Sequence, residues 1–255
     1  MTIFYFTATG NSLAVAKSIG STLVSIPQAL NAGDTNFKDD VIGIVFPVYW
    51  WNLPLMVRKF IDTVSFEADY LFAIGTCGNV AGGAMASLQK QAKKKNYEFH
   101  YTNLVKMLDN YLPVFEIGAQ IKKLPKKNVS EQLALITSDI SQRKKVKTKL
   151  NIFSRFMTLL FVHIFKPKNN ALKYIVSESC NNCGTCARVC PAANITLTDK
   201  ISFGNQCEGC LACLHLCPLN ALKLKSEKSD MRWRHPDIPL SEIIEANNQK
   251  SDNSG

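Results

Sequence analysis

The sequence predicts an α/β fold, a five-stranded doubly wound parallel sheet followed by a small α+β domain. Two observations predict the two parts. Along residues 1–148, short runs rich in β-branched and aromatic residues alternate with amphipathic helical stretches, which is typical of a parallel sheet covered by helices on both faces. Eight of the nine cysteines lie within residues 180–217, which indicates a separate, cysteine-based domain.

The elements of the first domain follow from hydrophobic periodicity and turn residues. Strands are predicted over residues 2–6, 41–46, 70–75 and 99–108. Helices are predicted over residues 13–19, 54–64, 84–95 and 131–147. Pro54 suits a first helical turn, because that position needs no amide donor.

The chain is divided by composition into four parts. Residues 1–148 form the sheet domain, residues 149–171 a basic and apolar connector helix, and residues 172–226 the cysteine domain. The remaining residues, 227–255, form a C-terminal tail whose polar end, from Asn247, is predicted to be disordered.

The cysteine domain contains two copies of the spacing C-x2-C-x2-C-x3-C-P. The first copy comprises Cys180, Cys183, Cys186 and Cys190, and the second comprises Cys207, Cys210, Cys213 and Cys217. Strand-like segments 194–197 and 221–224 follow the two Cys-Pro dipeptides at matching offsets. This internal repeat predicts two loop-and-hairpin units.

This spacing is typical of chains that hold two [4Fe–4S] clusters. Three thiolates at intervals of three wrap one cluster, and the fourth, stopped by proline, serves the other cluster. We therefore predict that cluster I is bound by Cys180, Cys183, Cys186 and Cys217. We predict that cluster II is bound by Cys190, Cys207, Cys210 and Cys213.

Zinc and disulfides are the alternatives for these cysteines. Zinc sites commonly use paired C-x2-C knuckles, often with histidine, and two runs of four cysteines ending in Cys-Pro do not follow that pattern. Disulfides require an oxidising compartment. The N-terminus, Met1 to Phe6, lacks the basic segment of a signal peptide, which predicts a cytoplasmic protein.

The positive charge of the chain is local. The net charge is +10, and the segment 120–175 alone contains 13 Lys and Arg against 2 Asp and Glu. The favoured interpretation of the basic, apolar connector is an interdomain helix packed against one of the two domains. Docking of an acidic redox partner protein near residues 122–173 and peripheral membrane contact are the alternatives. No nucleic-acid recognition motif accompanies the charge. The most apolar stretch, 156–165, is too short for a transmembrane helix.

A loop of small hydroxyl residues joins the first predicted strand to the first helix. Its residues are Thr7, Ala8, Thr9, Gly10, Asn11 and Ser12. Amides at a helix N-terminus and hydroxyls can surround a phosphate. The loop has no Lys or Arg and neither the triphosphate nor the dinucleotide glycine motif. It therefore favours a single terminal phosphate.

The motif Thr-x-Thr-Gly-Asn-Ser after the first strand resembles the FMN-phosphate loop of flavodoxins. The resemblance implies that two further loops at the carboxyl ends of strands bind the flavin. The first contributes Pro47, Val48, Tyr49 and Trp50, and the second contributes Thr76, Cys77, Gly78 and Asn79. Neither of the segments 47–54 and 76–84 contains Asp or Glu, which predicts that the reduced, anionic flavin forms easily.

Residues 1–225 as a whole resemble a fusion family in which a flavodoxin-like FMN domain precedes a bacterial-type ferredoxin domain with two [4Fe–4S] clusters. The resemblance implies an electron-transfer iron–sulfur flavoprotein that converts between one-electron and two-electron steps. The alternatives are a flavin-dependent reductase of a small substrate, fed by the ferredoxin domain, and a redox sensor or scaffold. No general acid, nucleophile pairing or nicotinamide fingerprint is evident, which favours the electron carrier and predicts no catalytic residue.

Overall fold

The computed structural model describes residues 1–20, 22–148 and 174–249. The connector helix predicted over 149–171 and the end of the predicted tail, 250–255, lie outside the described residues. The strands of the sheet domain are β1 (Thr2–Tyr5), β2 (Thr22–Ser25), β3 (Asn36–Lys38), β4 (Val41–Pro47), β5 (Ser65–Glu67), β6 (Tyr70–Cys77) and β7 (Tyr101–Lys106). The strands of the cysteine domain are β8 (Tyr174–Val176), β9 (Ile195–Leu197), β10 (Ile201–Phe203) and β11 (Leu222–Leu224).

The helices surround the sheet domain, and two short ones carry cysteines. The helices of the sheet domain are α1 (Asn11–Ile19), α2 (Ile26–Ala32), α3 (Leu55–Thr63), α4 (Ala84–Lys94), α5 (Ile117–Lys123) and α6 (Val129–Ser141). A 3-10 turn, Leu124–Lys127, joins α5 to α6. The remaining helices are α7 (Thr185–Arg188), α8 (Ala212–His215) and α9 (Leu240–Asn247).

The central sheet is parallel and has the order β2-β1-β4-β6-β7. Counting only these five strands, the order is 2-1-3-4-5, which is that of the flavodoxin-like doubly wound fold. The predicted α/β class and the small second domain are therefore confirmed. Ligands of such sheets bind where the strand order reverses, which is here between β1 and β4.

The inner strands have side chains buried on both faces of the sheet. All eight residues of β6 are buried, and Ile42, Ile44 and Phe46 of β4 have no exposed surface. Helices α1 and α6 contact one group of core residues, whereas α3 and α4 contact the other. Double-sided burial explains why these strands are continuous apolar runs in the sequence.

Some predicted elements differ from those observed. The edge strand β2 and helix α2 were not predicted, because Thr22 to Ser25 is short and mostly half-exposed. Strands β3 and β5 form a separate parallel pair outside the main sheet. The last predicted helix of this domain ends at Ser141 rather than at 147, and α5 precedes it.

The cysteine domain contains one hairpin rather than the two predicted. Strands β9 and β10 pair as an antiparallel hairpin after the first cysteine run. Strand β11, after the second run, pairs instead with β8, which lies before the first run. The strands before the first run and after the second run thus pair with each other and join the two ends of the cysteine domain.

The C-terminal segment returns to the sheet domain. Helix α9 packs on α2, where the Gln28 side chain donates to the carbonyl of Glu245 at 2.9 Å and the Ser25 hydroxyl donates to that of Ala246. Asn247, from which disorder was predicted, is fully buried. Its Nδ2 donates to the carbonyls of Thr7 and Val189, whereas its Oδ1 has no hydrogen-bond partner among the described residues.

Candidate cofactor sites

The loops that follow β1, β4 and β6 meet at the point where the strand order reverses. The Ser12 and Thr76 hydroxyls are 2.8 Å apart, and the Val48 amide donates to the Thr76 carbonyl at 2.8 Å. The Asn110 side chain donates to the Thr9 hydroxyl at 2.8 Å. The structure thus brings together residues from each of the three predicted flavin loops.

The β1–α1 loop fits a phosphate group. The Thr7, Thr9 and Ser12 side chains are buried. Thr7 Oγ1 accepts a hydrogen bond from the Gly10 amide and Thr9 Oγ1 accepts one from Asn110, so their hydroxyl protons remain available to donate. The first bond of α1 runs from the Ala14 amide to the Gly10 carbonyl, so the preceding amides face the loop.

The C-terminal segment covers this loop. The His235 amide donates to the Thr9 carbonyl at 2.8 Å, and the Asn247 side chain donates to the Thr7 carbonyl at 3.0 Å. The Trp233 indole donates to Asn11 Oδ1 at 3.0 Å. Gly10 adopts a left-handed conformation with φ 98°, and a Cβ there would lie 2.9 Å from that of His235. The sequence contains no local signal for this contact, because the partners are more than 220 residues apart.

The loop after β4 holds its aromatic residues in a strained turn. Tyr49 and Asn52 bond to each other through both backbone groups, and Trp50 and Trp51 have φ values of 52° and 57°. Trp50 makes an edge-to-face contact with Tyr111, with ring centroids 4.8 Å apart. Large residues in this region of φ are uncommon and favour a functional reason for the strain.

The loop after β6 lies between a carboxylate and an ammonium group. The Lys127 side chain donates to the Gly78 carbonyl at 2.9 Å and to that of Met107. The Asp109 carboxylate fills the space where Gly78 would have a side chain. Burial raises the pKa of Asp109, and Lys127 opposes that shift.

Asp109 changes one expectation from the sequence. The two flavin loops contain no carboxylate, but the fold places one against Gly78 from a segment distant along the chain. The premise that the predicted ring site lacks nearby acidic groups is therefore wrong. In the same loop, burial raises the pKa of the Cys77 thiol to about 11, and Asn79 is exposed.

The cysteines assigned to cluster II line one cavity. This cavity is bounded by Cys190, Cys207, Cys210 and Cys213 together with apolar and aromatic side chains, including Tyr174 and Phe203. Burial raises the pKa of the Cys213 thiol well above its ordinary value, and the thiols of Cys210, Cys190 and Cys207 raise it further. A cavity surrounded by four thiols fits a [4Fe–4S] cluster.

The cysteines assigned to cluster I also lie near one another. Burial raises the pKa of the Cys186 thiol to about 11, and the surrounding thiols of Cys217, Cys180 and Cys183 contribute in the same direction. Cys183 is exposed, whereas Cys213 is buried and the other three cysteines of the cluster II set are partly exposed. The predicted cluster I set is therefore nearer to solvent than the cluster II set.

A single metal ion is a different case from a cluster. Among the described residues, no group of three or more His, Cys, Asp or Glu side chains converges as a site for one ion. In a cubane, each thiolate binds its own iron atom, so the four sulfurs need not converge.

Glu208 joins the second cysteine run to the sheet domain. Its carboxylate accepts hydrogen bonds from the Leu55 and Met56 amides at 3.0 and 2.6 Å, at the N-terminus of α3. Burial raises the pKa of Glu208 to about 7, and the helix N-terminus stabilises its charged form. The cysteine domain is thus attached at the helix that follows the predicted flavin loop.

His215 forms a second polar bridge in the same interface. Its Nε2 bonds the Asn110 carbonyl at 2.8 Å, and its Nδ1 accepts from the Trp233 amide at 3.1 Å. These partners require the neutral ring protonated at Nε2. Burial lowers the pKa of His215 to about 4, which agrees with that requirement.

We expect His215 to make the chain less stable in mild acid. At pH values between the lowered pKa of His215 in the folded chain and its ordinary pKa, the unfolded chain binds a proton on this residue that the folded chain does not. The contribution of His215 to the free energy of unfolding therefore falls as pH falls, by roughly 2 kcal/mol from pH 7.5 to 5.0. Glu208, whose pKa is raised, contributes in the opposite direction, so the contribution of His215 is the difference in slope between a variant at this position and the unmodified protein. Anaerobic urea unfolding across this range measures the slope. His215→Gln should flatten it, whereas His100→Gln, which alters a histidine in the sheet domain, should preserve most of it. Equal slopes for His215→Gln and the unmodified protein would contradict the assignment.

Comparison with known proteins gives one family match and several weak structural ones. Residues 173–196 match the model of the 4Fe–4S binding domain, and this segment contains the whole first cysteine run. No curated protein matches the chain significantly. The segment that matches this family follows the sheet domain along the chain.

Three solved structures are similar to part of this chain. A provisionally assigned flavoprotein from Bacteroides uniformis is 18% identical with a TM-score of 0.32, and 41% of this chain matches 89% of that one. Two-electron reduced flavodoxin from Megasphaera elsdenii is 14% identical with a TM-score of 0.27, covering 40% and 83%. Trp repressor binding protein from Bacillus subtilis is 9% identical with a TM-score of 0.33, covering 58% and 99%. The fold class rests on the strand order rather than on these scores.

Within residues 1–20, 22–148 and 174–249, no helix has the length and apolar character needed to cross a bilayer.

Proposed function

We propose that the protein is an iron–sulfur flavoprotein that relays electrons between two [4Fe–4S] clusters and an FMN held in the same chain. The observation that carries the proposal is that Tyr49, from a predicted flavin loop, and Cys210, from the cluster II set, pack against the same group of buried residues. The second cysteine run is fixed to α3 through Glu208. Both features keep the two cofactor sites adjacent.

The order of the sites supports a direction for the relay. Cys183 of the cluster I set is exposed, whereas Cys213 of the cluster II set is buried and none of the cluster II cysteines is fully exposed. Cluster I therefore exchanges electrons with an external partner, and cluster II lies between it and the flavin. When bound, each cluster supplies one-electron chemistry and FMN supplies both one-electron and two-electron chemistry.

The residues of this chain hold and separate the cofactors. The β1–α1 loop holds the phosphate through the hydroxyls of Thr7, Thr9 and Ser12. Trp50 and Tyr111, which contact each other, limit the space beside the ring site and favour electron transfer over binding of a second substrate. Lys127 and Asp109 set the charge near Gly78.

The partner of cluster I is proposed to be an acidic redox protein of the cytoplasm. The described part of the basic segment carries exposed Lys122, Lys123 and Lys126 beside α5 and exposed Lys145 and Lys147 after α6. Clustered positive charge raises the association rate with an acidic partner. Reduction by such a partner should slow steeply as salt increases, and a salt-independent rate would count against acidic docking.

Anaerobic purification followed by stepwise reduction tests the proposed function. We expect FMN, about eight iron atoms per chain, and two cluster signals in electron paramagnetic resonance that change before or together with flavin absorbance. Cys77→Ser, which alters a cysteine outside both runs, is the matched control and should retain both clusters. A preparation with zinc and no iron, or with clusters and no flavin, would refute the proposal.

A further inference from the structure

We infer that the Tyr174 hydroxyl donates a hydrogen bond to the sulfur of Cys207 and thereby raises the reduction potential of cluster II. The inference rests on the proposed function, because it requires an iron–sulfur cluster bound by Cys207. It assigns to Tyr174, which binds no iron itself, the role of setting how easily that cluster is reduced.

The first observation is that Tyr174 reaches both the cluster II cavity and one of its cysteines. Its side chain lines the cavity bounded by Cys190, Cys207, Cys210 and Cys213. Its hydroxyl oxygen lies 3.6 Å from Cys207 Sγ, within hydrogen-bond distance for sulfur. A cysteine that binds iron is a thiolate and has no proton to donate. The phenol is therefore the donor of this bond, and the sulfur is the acceptor.

The second observation is that contacts elsewhere on Tyr174 hold its ring in place. Its backbone is part of β8, where it lies opposite Leu224 of β11. Its ring makes an edge-to-face contact with Phe203, with centroids 5.6 Å apart, and Phe203 lines the same cavity. None of these contacts uses the hydroxyl oxygen, so a phenylalanine at this position can keep them.

A hydrogen bond to a cluster sulfur favours reduction, because the reduced cluster is more negative and its sulfur atoms are stronger acceptors. Such bonds are one of the ways in which a protein sets the potential of a cluster. The Gly209 amide donates to the same Cys207 sulfur at 3.4 Å. Removing the Tyr174 hydroxyl therefore weakens the hydrogen bonding at Cys207 without abolishing it, and a shift of potential is expected rather than loss of the cluster.

The two cluster sites differ in this donor. Tyr174 lies six residues before the first cysteine run, and Ile201, which has no hydroxyl, lies six residues before the second. At the cluster I site, a different hydroxyl, that of Thr185, lies 3.4 Å from Cys183 Sγ. The hydroxyl donors of the two sites can therefore be removed one at a time.

The test is the substitution Tyr174→Phe, which removes one oxygen atom and keeps the ring. We expect the reduced-to-oxidised ratio of cluster II at a fixed potential to fall about threefold to tenfold, equivalent to about 28–59 mV for one electron. Potentiometric titration followed by electron paramagnetic resonance measures this shift. The potential of cluster I should not change, and the iron content should stay at its unmodified value.

Two variants are matched controls. Tyr97→Phe removes a hydroxyl that donates to the Ile61 carbonyl in the sheet domain and should leave both cluster potentials unchanged. Thr185→Val removes the hydroxyl beside Cys183 and should lower the potential of cluster I while that of cluster II stays the same. A cluster II shift in Thr185→Val as large as that in Tyr174→Phe would overturn the inference, because the effect would not depend on the bond to Cys207.

The remaining outcomes separate the inference from the proposed function. If Tyr174→Phe keeps both clusters and the cluster II potential is unchanged, the inference is overturned while the proposed function stands. Loss of iron from Tyr174→Phe also overturns it, because the side chain would then hold the cluster rather than set its potential. If the unmodified protein binds only one cluster or no FMN, the proposed function itself fails.

Discussion

Replacing Cys190 with serine is expected to remove cluster II, although Cys190 belongs to the first cysteine run. Its sulfur lines the same cavity as Cys207, Cys210 and Cys213, and it accepts a hydrogen bond from the Asn194 amide at 3.3 Å. The iron content should fall from about eight to about four atoms per chain. Reduction of the flavin through cluster I should be lost, because the site between them is empty.

Cys217→Ser is the corresponding substitution in the second run. It tests whether the fourth cysteine of each run binds the cluster of the other run or the cluster of its own run. It changes the second run but should remove cluster I, leaving cluster II and its signal in electron paramagnetic resonance. Iron analysis and spectra of the two variants, with Cys77→Ser as control, provide the comparison. If Cys190→Ser removed the cluster bound by Cys180, Cys183 and Cys186, each run would bind its own cluster and the assignment would be wrong.

Replacing Asn247 with alanine is expected to release FMN from the protein more quickly. The Asn247 side chain donates to the Thr7 carbonyl in the phosphate loop and, at 3.3 Å, to the Val189 carbonyl in the cysteine domain. Losing two buried hydrogen bonds of about 1 kcal/mol each loosens the segment over the phosphate loop and should accelerate FMN dissociation, by at most about thirtyfold. The fluorescence of free FMN after dilution measures the rate directly.

Glu242→Gln is the matched control for Asn247→Ala. Glu242 is on the same helix and pairs with Lys17 at 2.6 Å on the surface, so its loss should change FMN release less than about twofold. Equal dissociation rates for Asn247→Ala and the unmodified protein would show that the C-terminal segment does not retain the cofactor. Iron content and circular dichroism, measured on the same samples, should be unchanged in both variants.

The parts of the molecule that could be predicted from the sequence have strong local signals. Strands β1, β4 and β6 are apolar because both of their faces are buried, and each apolar run can be recognised from its own few residues. The cluster cysteines are predictable because iron requires thiolates at fixed spacing. The phosphate loop is similarly local, since the residues from the end of β1 through the first turn of α1 contain all of its hydroxyl groups.

The parts that could not be predicted depend on contacts between distant segments. Glu208 is one acidic residue among many until the fold places it at the N-terminus of α3. Asp109 enters the flavin region from beyond β7, and His235 and Asn247 reach the phosphate loop from the end of the chain. Strand β2 is missed for another reason, because a short, half-exposed edge strand has little hydrophobic periodicity.

The pairing of β8 with β11 has a mechanical consequence. The cysteine domain is continued on its C-terminal side by a segment that packs on α2 and the phosphate loop, and its N-terminal side follows residues of the sheet domain. The carboxylate of Glu208 on α3 and the side chain of Asn247, which bonds both Thr7 and Val189, hold it against the sheet domain at separate points. A domain held by several such contacts is less free to turn than one joined by a linker alone. The proposed electron relay would therefore operate without a swing of the cysteine domain.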